Sequence, residues 1–181
     1  MRTLSSALAV CITLACGYAM IPTADAATSA AWSINNGSAC QLSIPTTNTG
    51  VRPKATGFRN ESLSTSNFVI CPISSPITPQ GGAMFDHLYI FLQTLDGGTN
   101  VSVTCTAVVG GDQFTPSGPI YSTKTFKFIP LVLSLAWDAS DFGGTAGAVI
   151  PGSGLASITC NLPPQVSIQH TEAHFVYQIG T

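Results

Sequence analysis

Asn100-Val-Ser-Val-Thr-Cys-Thr-Ala-Val-Val109 decides the fold of this chain. In an extended strand Val101, Val103, Cys105, Ala107 and Val109 share one face, and Ser102, Thr104 and Thr106 share the other. Successive strand side chains point to opposite faces, so this alternation marks a strand with one buried side. Leu155-Ala-Ser-Ile-Thr-Cys-Asn-Leu162 repeats the pattern, with Ala156, Ile158, Cys160 and Leu162 inward. Both cysteines fall in the inward register, which predicts a buried Cys105–Cys160 bridge at the centre of a β-sandwich.

Working outward, Ser38 to Ile44 reads as a short strand carrying Cys40 inward, after a tight-turn signal at Asn35-Asn-Gly37. Asn67-Phe-Val-Ile-Cys-Pro-Ile73 suits a central strand that should end at Pro72, because proline cannot donate to a ladder. His87 to Leu95 is apolar on both faces, and Asp96-Gly97-Gly98 after it reads as a hairpin turn into the Cys105 strand. Tyr121 to Ile129 alternates, with Phe126 and Phe128 inward and Lys124, Thr125 and Lys127 outward or flanking. Leu131 to Trp137 follows beyond Pro130, and a last strand lies near His174 to Ile179. Loops are expected over 45–60, 72–86, 110–120 and 139–154. About eight strands without a helix-period run predict an all-β fold, a two-sheet antiparallel sandwich with jelly-roll or Greek-key connections and two disulfides.

The N-terminal residues 1–26 read as a secretory signal peptide. Arg2 supplies the positive end, Leu4 to Met20 is mostly apolar, and Ala24-Asp-Ala26 is a small-residue cleavage site. A competing lipoprotein signal would acylate Cys16, but Thr13 stands where such sites favour leucine. The apolar run is too short and interrupted to span a membrane. Residues 27–181 then form one domain of a size that buries a substantial core. Charged residues are 8% of the chain and the net charge is −2, so no basic field exists to hold nucleic acid or anionic lipid. Losing Cys11 and Cys16 leaves four cysteines, and four in an exported domain imply two disulfides with three possible connectivities. Cys40–Cys71 and Cys105–Cys160 are the favoured pairs. Zinc would need clustered ligands such as Cys-x2-Cys, and these cysteines are far apart in sequence.

Signals for chemistry are sparse. His170, Glu172 and His174 would share a strand face, but the two histidines would stand about 13 Å apart at roughly 3.3 Å per residue, too far for one ion. His87 beside Asp86 reads as a polar strand end. Asp138 and Asp141 fall in one turn, with Asp112 in another loop, and calcium takes several oxygen ligands of this kind. No defined calcium loop matches, and Asp and Gly are ordinary turn formers. The basic residues Arg52, Lys54 and Arg59 read as a solvated loop. Trp32, Tyr121 and Phe142 lie in or beside loops and are the candidates for a sugar- or peptide-binding platform. No P-loop, dinucleotide fingerprint or nucleophile elbow occurs.

Trp32, Asn36-Gly37, Cys40-Gln41, Phe68-Val-Ile-Cys-Pro-Ile73, Val103-Thr-Cys105 and Ile158-Thr-Cys160, together with the signal segment, resemble small exported bacterial proteins with four cysteines. The resemblance implies an exported, periplasmic or secreted, disulfide sandwich and carries over no functional residue. The leading expectation is a non-enzymatic binding or surface-interaction module, without a cofactor unless calcium binds, contacting a carbohydrate or a cell-surface protein. The second is a fibre or coat subunit that self-assembles by strand addition, motivated by the alternating Phe175, Tyr177 and Ile179 at the end of the chain. A secreted hydrolase is third.

Overall fold

A computed structural model describes residues 27–45, 47, 50–75, 77–78, 81–82, 84–98, 100–111, 118–129, 134–152 and 154–179. The expected signal segment therefore lies outside the described residues. In chain order the strands are β1 (Ala27–Asn36), β2 (Gln41–Leu42), β3 (Val51–Lys54), β4 (Gly57–Asn60), β5 (Asn67–Ile73), β6 (Ile77–Thr78), β7 (Gly81–Gly82), β8 (Met84–Thr94), β9 (Ser102–Val109), β10 (Ile120–Lys127), β11 (Ser134–Asp138), β12 (Ala156–Leu162) and β13 (Val166–Ile179). One sheet runs β11-β8-β13-β4-β3, with β1 also paired to β13. The other runs β10-β9-β12-β5-β2, and β6 and β7 form a small separate pair. All pairings are antiparallel. The fold is the expected all-β, two-sheet sandwich.

The two alternating stretches sit as their pattern requires. Val103, Cys105, Ala107 and Val109 of β9 and Ile158, Cys160 and Leu162 of β12 are buried on the inner face of the five-stranded sheet. Against them pack Phe85, Leu88, Ile90 and Leu92 of β8 and Ile168, Ala173 and Phe175 of β13. Cys105 lies opposite Cys160 in register, and both expected disulfides are formed, Cys105–Cys160 and Cys40–Cys71, each with Cα atoms 4.1 Å apart. Each clamps chain segments of the same sheet rather than bridging the two sheets. Such bonds fit an oxidising compartment. No helix among the described residues is long and apolar enough to cross a membrane.

Several expectations need correction. Asp96-Gly97-Gly98 is not a hairpin, because β8 and β9 belong to different sheets. It is a corner that carries the chain across the sandwich, with the Gly98 N–H donating to Asp96 Oδ1 at 2.8 Å. The 45–60 stretch contains the β3–β4 hairpin, and Trp32 lies within a ten-residue strand rather than in or beside a loop. The segment 72–86 also includes β6, β7 and the start of β8, and β5 continues one residue past Pro72. Lys124 faces inward at the rim, sharing its side of β10 with the partly buried Phe126. Its ammonium donates to the Ala136 carbonyl and to Asp141 Oδ2, each at 2.7 Å, and lies 5.9 Å from the centre of the Trp137 ring. A long amphipathic side chain can cover apolar surface while its charged end finds partners.

Candidate functional site

The outer face of the six-stranded sheet collects the groups able to bind a ligand. In register across β1, β13, β8 and β11 lie Trp32, His174, His87 and Asp138. One step along, Ile34, Glu172, Tyr89 and Ala136 line up, and then Asn36, His170, Phe91 and Ser134. Rings stand against one another along these rows: Trp32 and His174 have centroids 4.7 Å apart, His87 and Tyr89 stack at 6.0 Å, and Phe91 and His170 stack at 4.2 Å. Trp32 is 54% exposed.

Two β-bulges shape this face. Between β13 and β8 the register shifts at Ile168/His170 and again at His174/Phe175. The buried residues Phe85 and Leu88 are three apart instead of two, so Asp86 and His87 both point outward. A bulge inserts one extra residue on one strand and re-aims the neighbouring side chains. Asp86 Oδ1 then lies 2.6 Å from His174 Nδ1 and 3.3 Å from His87 Nδ1. The second bulge adds Gln169 on β13, leaving His170 Nε2 3.0 Å from Glu172 Oε1. Burial first, and then the carboxylates of Asp86, Glu172 and Asp138, push the Tyr89 phenol above its usual 10.0, so it stays a neutral hydrogen-bonding group.

Beside the second bulge an open groove of about 700 Å³ is lined by Ile34, Asn36, Thr56, Gln169, His170 and Glu172. It shares Ile34 and Glu172 with the middle row, so groove and aromatic face are continuous. Gly37 and Gly57, next in sequence to the lining residues Asn36 and Thr56, let the chain pass close to β13, since a Cβ on either would meet the Ile168 carbonyl oxygen at 2.1 Å.

The sequence candidates are scattered over this framework. Trp32 stands on the face just described. Tyr121, 63% exposed, stands on the outer face of the opposite sheet, in a groove of about 480 Å³ with Phe68, Thr104, Thr106, Val108, Thr159 and Asn161. Trp32 and Tyr121 cannot belong to one platform. Phe142 is 5% exposed, packed into the core by the 3-10 turn Ala139–Phe142, so its ring is not offered to a ligand.

Asp138 and Asp141 are brought together, and one oxygen of each is engaged within the turn. Asp138 Oδ1 accepts from the Ser140 N–H at 2.7 Å and the Ser140 hydroxyl at 2.5 Å, and Asp141 Oδ2 accepts from the Asp138 N–H at 2.9 Å and from Lys124. The Ser140 hydroxyl, then its N–H, hold the Asp138 carboxyl below the usual carboxylate range. These are capping and pairing contacts; Asp112 lies outside the described residues.

Sequence reading missed the Asp86–His87–His174 group, because period-two counting puts Asp86 and His87 on opposite faces. No sequence signal marks the bulge, since the run from Leu88 to Leu92 is apolar on both faces and the three-position step from Phe85 to Leu88 shows only in the burial pattern. No protein-family model matches the chain and no curated protein matches it in sequence, so the site stands on its geometry.

Proposed function

We propose that the protein is an exported, non-enzymatic binding module, and that its ligand is a carbohydrate held on the outer face of the six-stranded sheet. The observation that carries this reading is the exposed Trp32 ring one row along the same face from Ile34 and Glu172, which line the groove with Asn36, Thr56, Gln169 and His170. Sugars present apolar C–H faces that pack on aromatic rings, and hydroxyls that need paired donors and acceptors. The face supplies the first with Trp32 and Tyr89, whose centroids are 5.8 Å apart, and the second with amide, hydroxyl, imidazole and carboxylate groups. Strands and bulges hold these groups, so little ordering is needed on binding. The two disulfides and the low content of charged residues suit a module working outside the cytoplasm.

The test is retention of the disulfide-bonded protein on immobilised oligosaccharides. Wild type should be retained, and Trp32→Ala should lose retention while keeping its melting temperature. Failure of the wild type to bind any of them, or equal retention of Trp32→Ala, contradicts the reading.

A second reading, self-assembly by strand addition, draws support from β1 rather than from the end of the chain. The terminal strand β13 is interior, paired to β8 on one side and to β4 and β1 on the other. β1 lies along Asn36–Ala27 against His170–Ile179, and none of its residues is fully buried. A strand held through one edge is the one that can be exchanged between copies. Light scattering of the native protein separates the two: a monomer supports the free module, and a ladder of oligomers lost on deleting 27–36 supports exchange.

A further inference from the structure

We infer that Asp86, His87 and His174 form a binding site for a divalent first-row transition metal, with zinc as the natural probe. This goes beyond the carbohydrate reading and stands or falls independently of it. Two imidazoles and one carboxylate are a ligand set that zinc, copper and nickel take, and three protein ligands leave a fourth position for water or a ligand atom.

The geometry is close to what such an ion needs. The three ligand atoms all lie within 4.8 Å of one another. A tetrahedral ion with bonds of about 2.0–2.1 Å has ligand–ligand edges of about 3.3 Å. His87 Nδ1 already lies 3.3 Å from Asp86 Oδ1, and the 2.6 Å contact to His174 Nδ1 needs to open by roughly 0.7 Å. All three groups are partly buried, so much of the water has already been removed.

The supports are stiff. Asp86 and His87 come from one bulge on β8, and His174 stands opposite on β13, in the interior of the sheet. Trp32 packs on the His174 ring and Tyr89 stacks on the His87 ring. Asp138 stands in register with His87, and Glu172 lies one row along from His174, so both add negative charge nearby without occupying the ligand positions. This separates the group from the distant pair that periodicity considers, His170 and His174. The ion's histidine partner is His87, on the next strand.

The experiment is zinc titration of the intact, disulfide-bonded protein by calorimetry, with Asp86→Asn, His87→Ala, His174→Ala and His170→Ala. One equivalent should bind, each of the first three changes should weaken it by about tenfold or more, and His170→Ala should leave it unchanged. Imidazole resonances supply a readout that needs no variant, because the chain holds 3 histidines. Zinc should shift those of His87 and His174 and spare His170. No saturable binding, binding that survives loss of His87 or His174 in a folded variant, or a response shared equally by all three histidines overturns the proposal.

Discussion

Asp86 and His174 are 88 positions apart in sequence, yet Asp86 Oδ1 lies 2.6 Å from His174 Nδ1. The contact exists because β8 carries one residue more than regular pairing with β13 allows, and the surplus residue turns its carboxylate toward the imidazoles. Half-buried hydrogen bonds to a charged group contribute more than exposed ones. Asp86→Ala is therefore expected to cost about 1–2 kcal/mol at neutral pH in urea unfolding. A loss under about 0.5 kcal/mol would place the pair among inert surface contacts.

Lys124 and Asp141 couple the rims of the two sheets. Their 2.7 Å ion pair is partly covered, and Trp137, fully buried, donates from Nε1 to the Ser122 carbonyl at 3.1 Å alongside it. Lys124→Met should destabilise by about 1–2 kcal/mol, and Asp141→Asn in that background should cost little more, because the pair acts as a unit. Additive losses in the double variant would show that the two side chains act separately.

Gly37 and Gly57 permit the chain to pass close to the Ile168 carbonyl. A Cβ at either position would sit 2.1 Å from that oxygen, and Gly57 also holds φ +125°. Alanine at either site is expected to cost more than about 2 kcal/mol, since a backbone must move. Gly97→Ala is the control, because nothing lies within 4 Å of its Cβ position and only its φ of +74° is unfavourable, at about 1 kcal/mol. Melting curves for the three variants decide it; a Gly97→Ala loss equal to the others would refute the close-approach argument.

The disulfides differ in what they restrain. Cys105–Cys160 closes a span of 55 residues between fully buried positions, and Cys40–Cys71 closes 31 nearer the sheet edge. The chain-entropy account gives about 3.5–4 kcal/mol for each, slightly more for the longer span. Losing a cysteine of the central pair also leaves a thiol and a gap in the core. Cys105→Ala and Cys160→Ala should accordingly unfold at lower denaturant than Cys40→Ala and Cys71→Ala. Equal midpoints for all four would contradict that ranking.

Glu61 sets a small pH dependence. Lys54 Nζ at 3.2 Å chiefly, with Arg52 adding to it, holds the Glu61 carboxyl below its ordinary 4.5. A lowered folded pKa contributes stability that is complete above the unfolded value and lost as pH falls through the folded one. The advantage of wild type over Glu61→Gln should thus be present at pH 7 and shrink below about pH 4.5, and added salt should reduce it. A gap that persists unchanged into acid would rule out this ionisation as its source.

Much of the sandwich was legible in the sequence because regular strands obey period two. Val103, Cys105, Ala107 and Val109, and Ile158, Cys160 and Leu162, are buried as their alternation demands, and the cysteines meet where the register puts them. What escaped depends on geometry that alternation does not encode. Asp96-Gly97-Gly98 has the residues of a hairpin turn, but turn residues do not say whether the next strand joins the same sheet. Phe142 sits in a glycine-rich stretch, yet the 3-10 turn capped by Asp138 drives its ring into the core. Asp86 and His87 share a face only because of a bulge, and their third partner arrives from the far end of the chain. Of the candidate site, Trp32 alone was read as a contact residue.

The most direct test of the binding face compares wild type, Trp32→Ala and Tyr121→Ala on one oligosaccharide array. Trp32 and Tyr121 are both exposed aromatics, on opposite sheets, so each variant serves as the other's control for non-specific apolar contact. The account predicts that wild type and Tyr121→Ala bind the same sugars and that Trp32→Ala binds none. Binding abolished by Tyr121→Ala and retained by Trp32→Ala would move the site to the threonine-lined face of the five-stranded sheet and contradict the account.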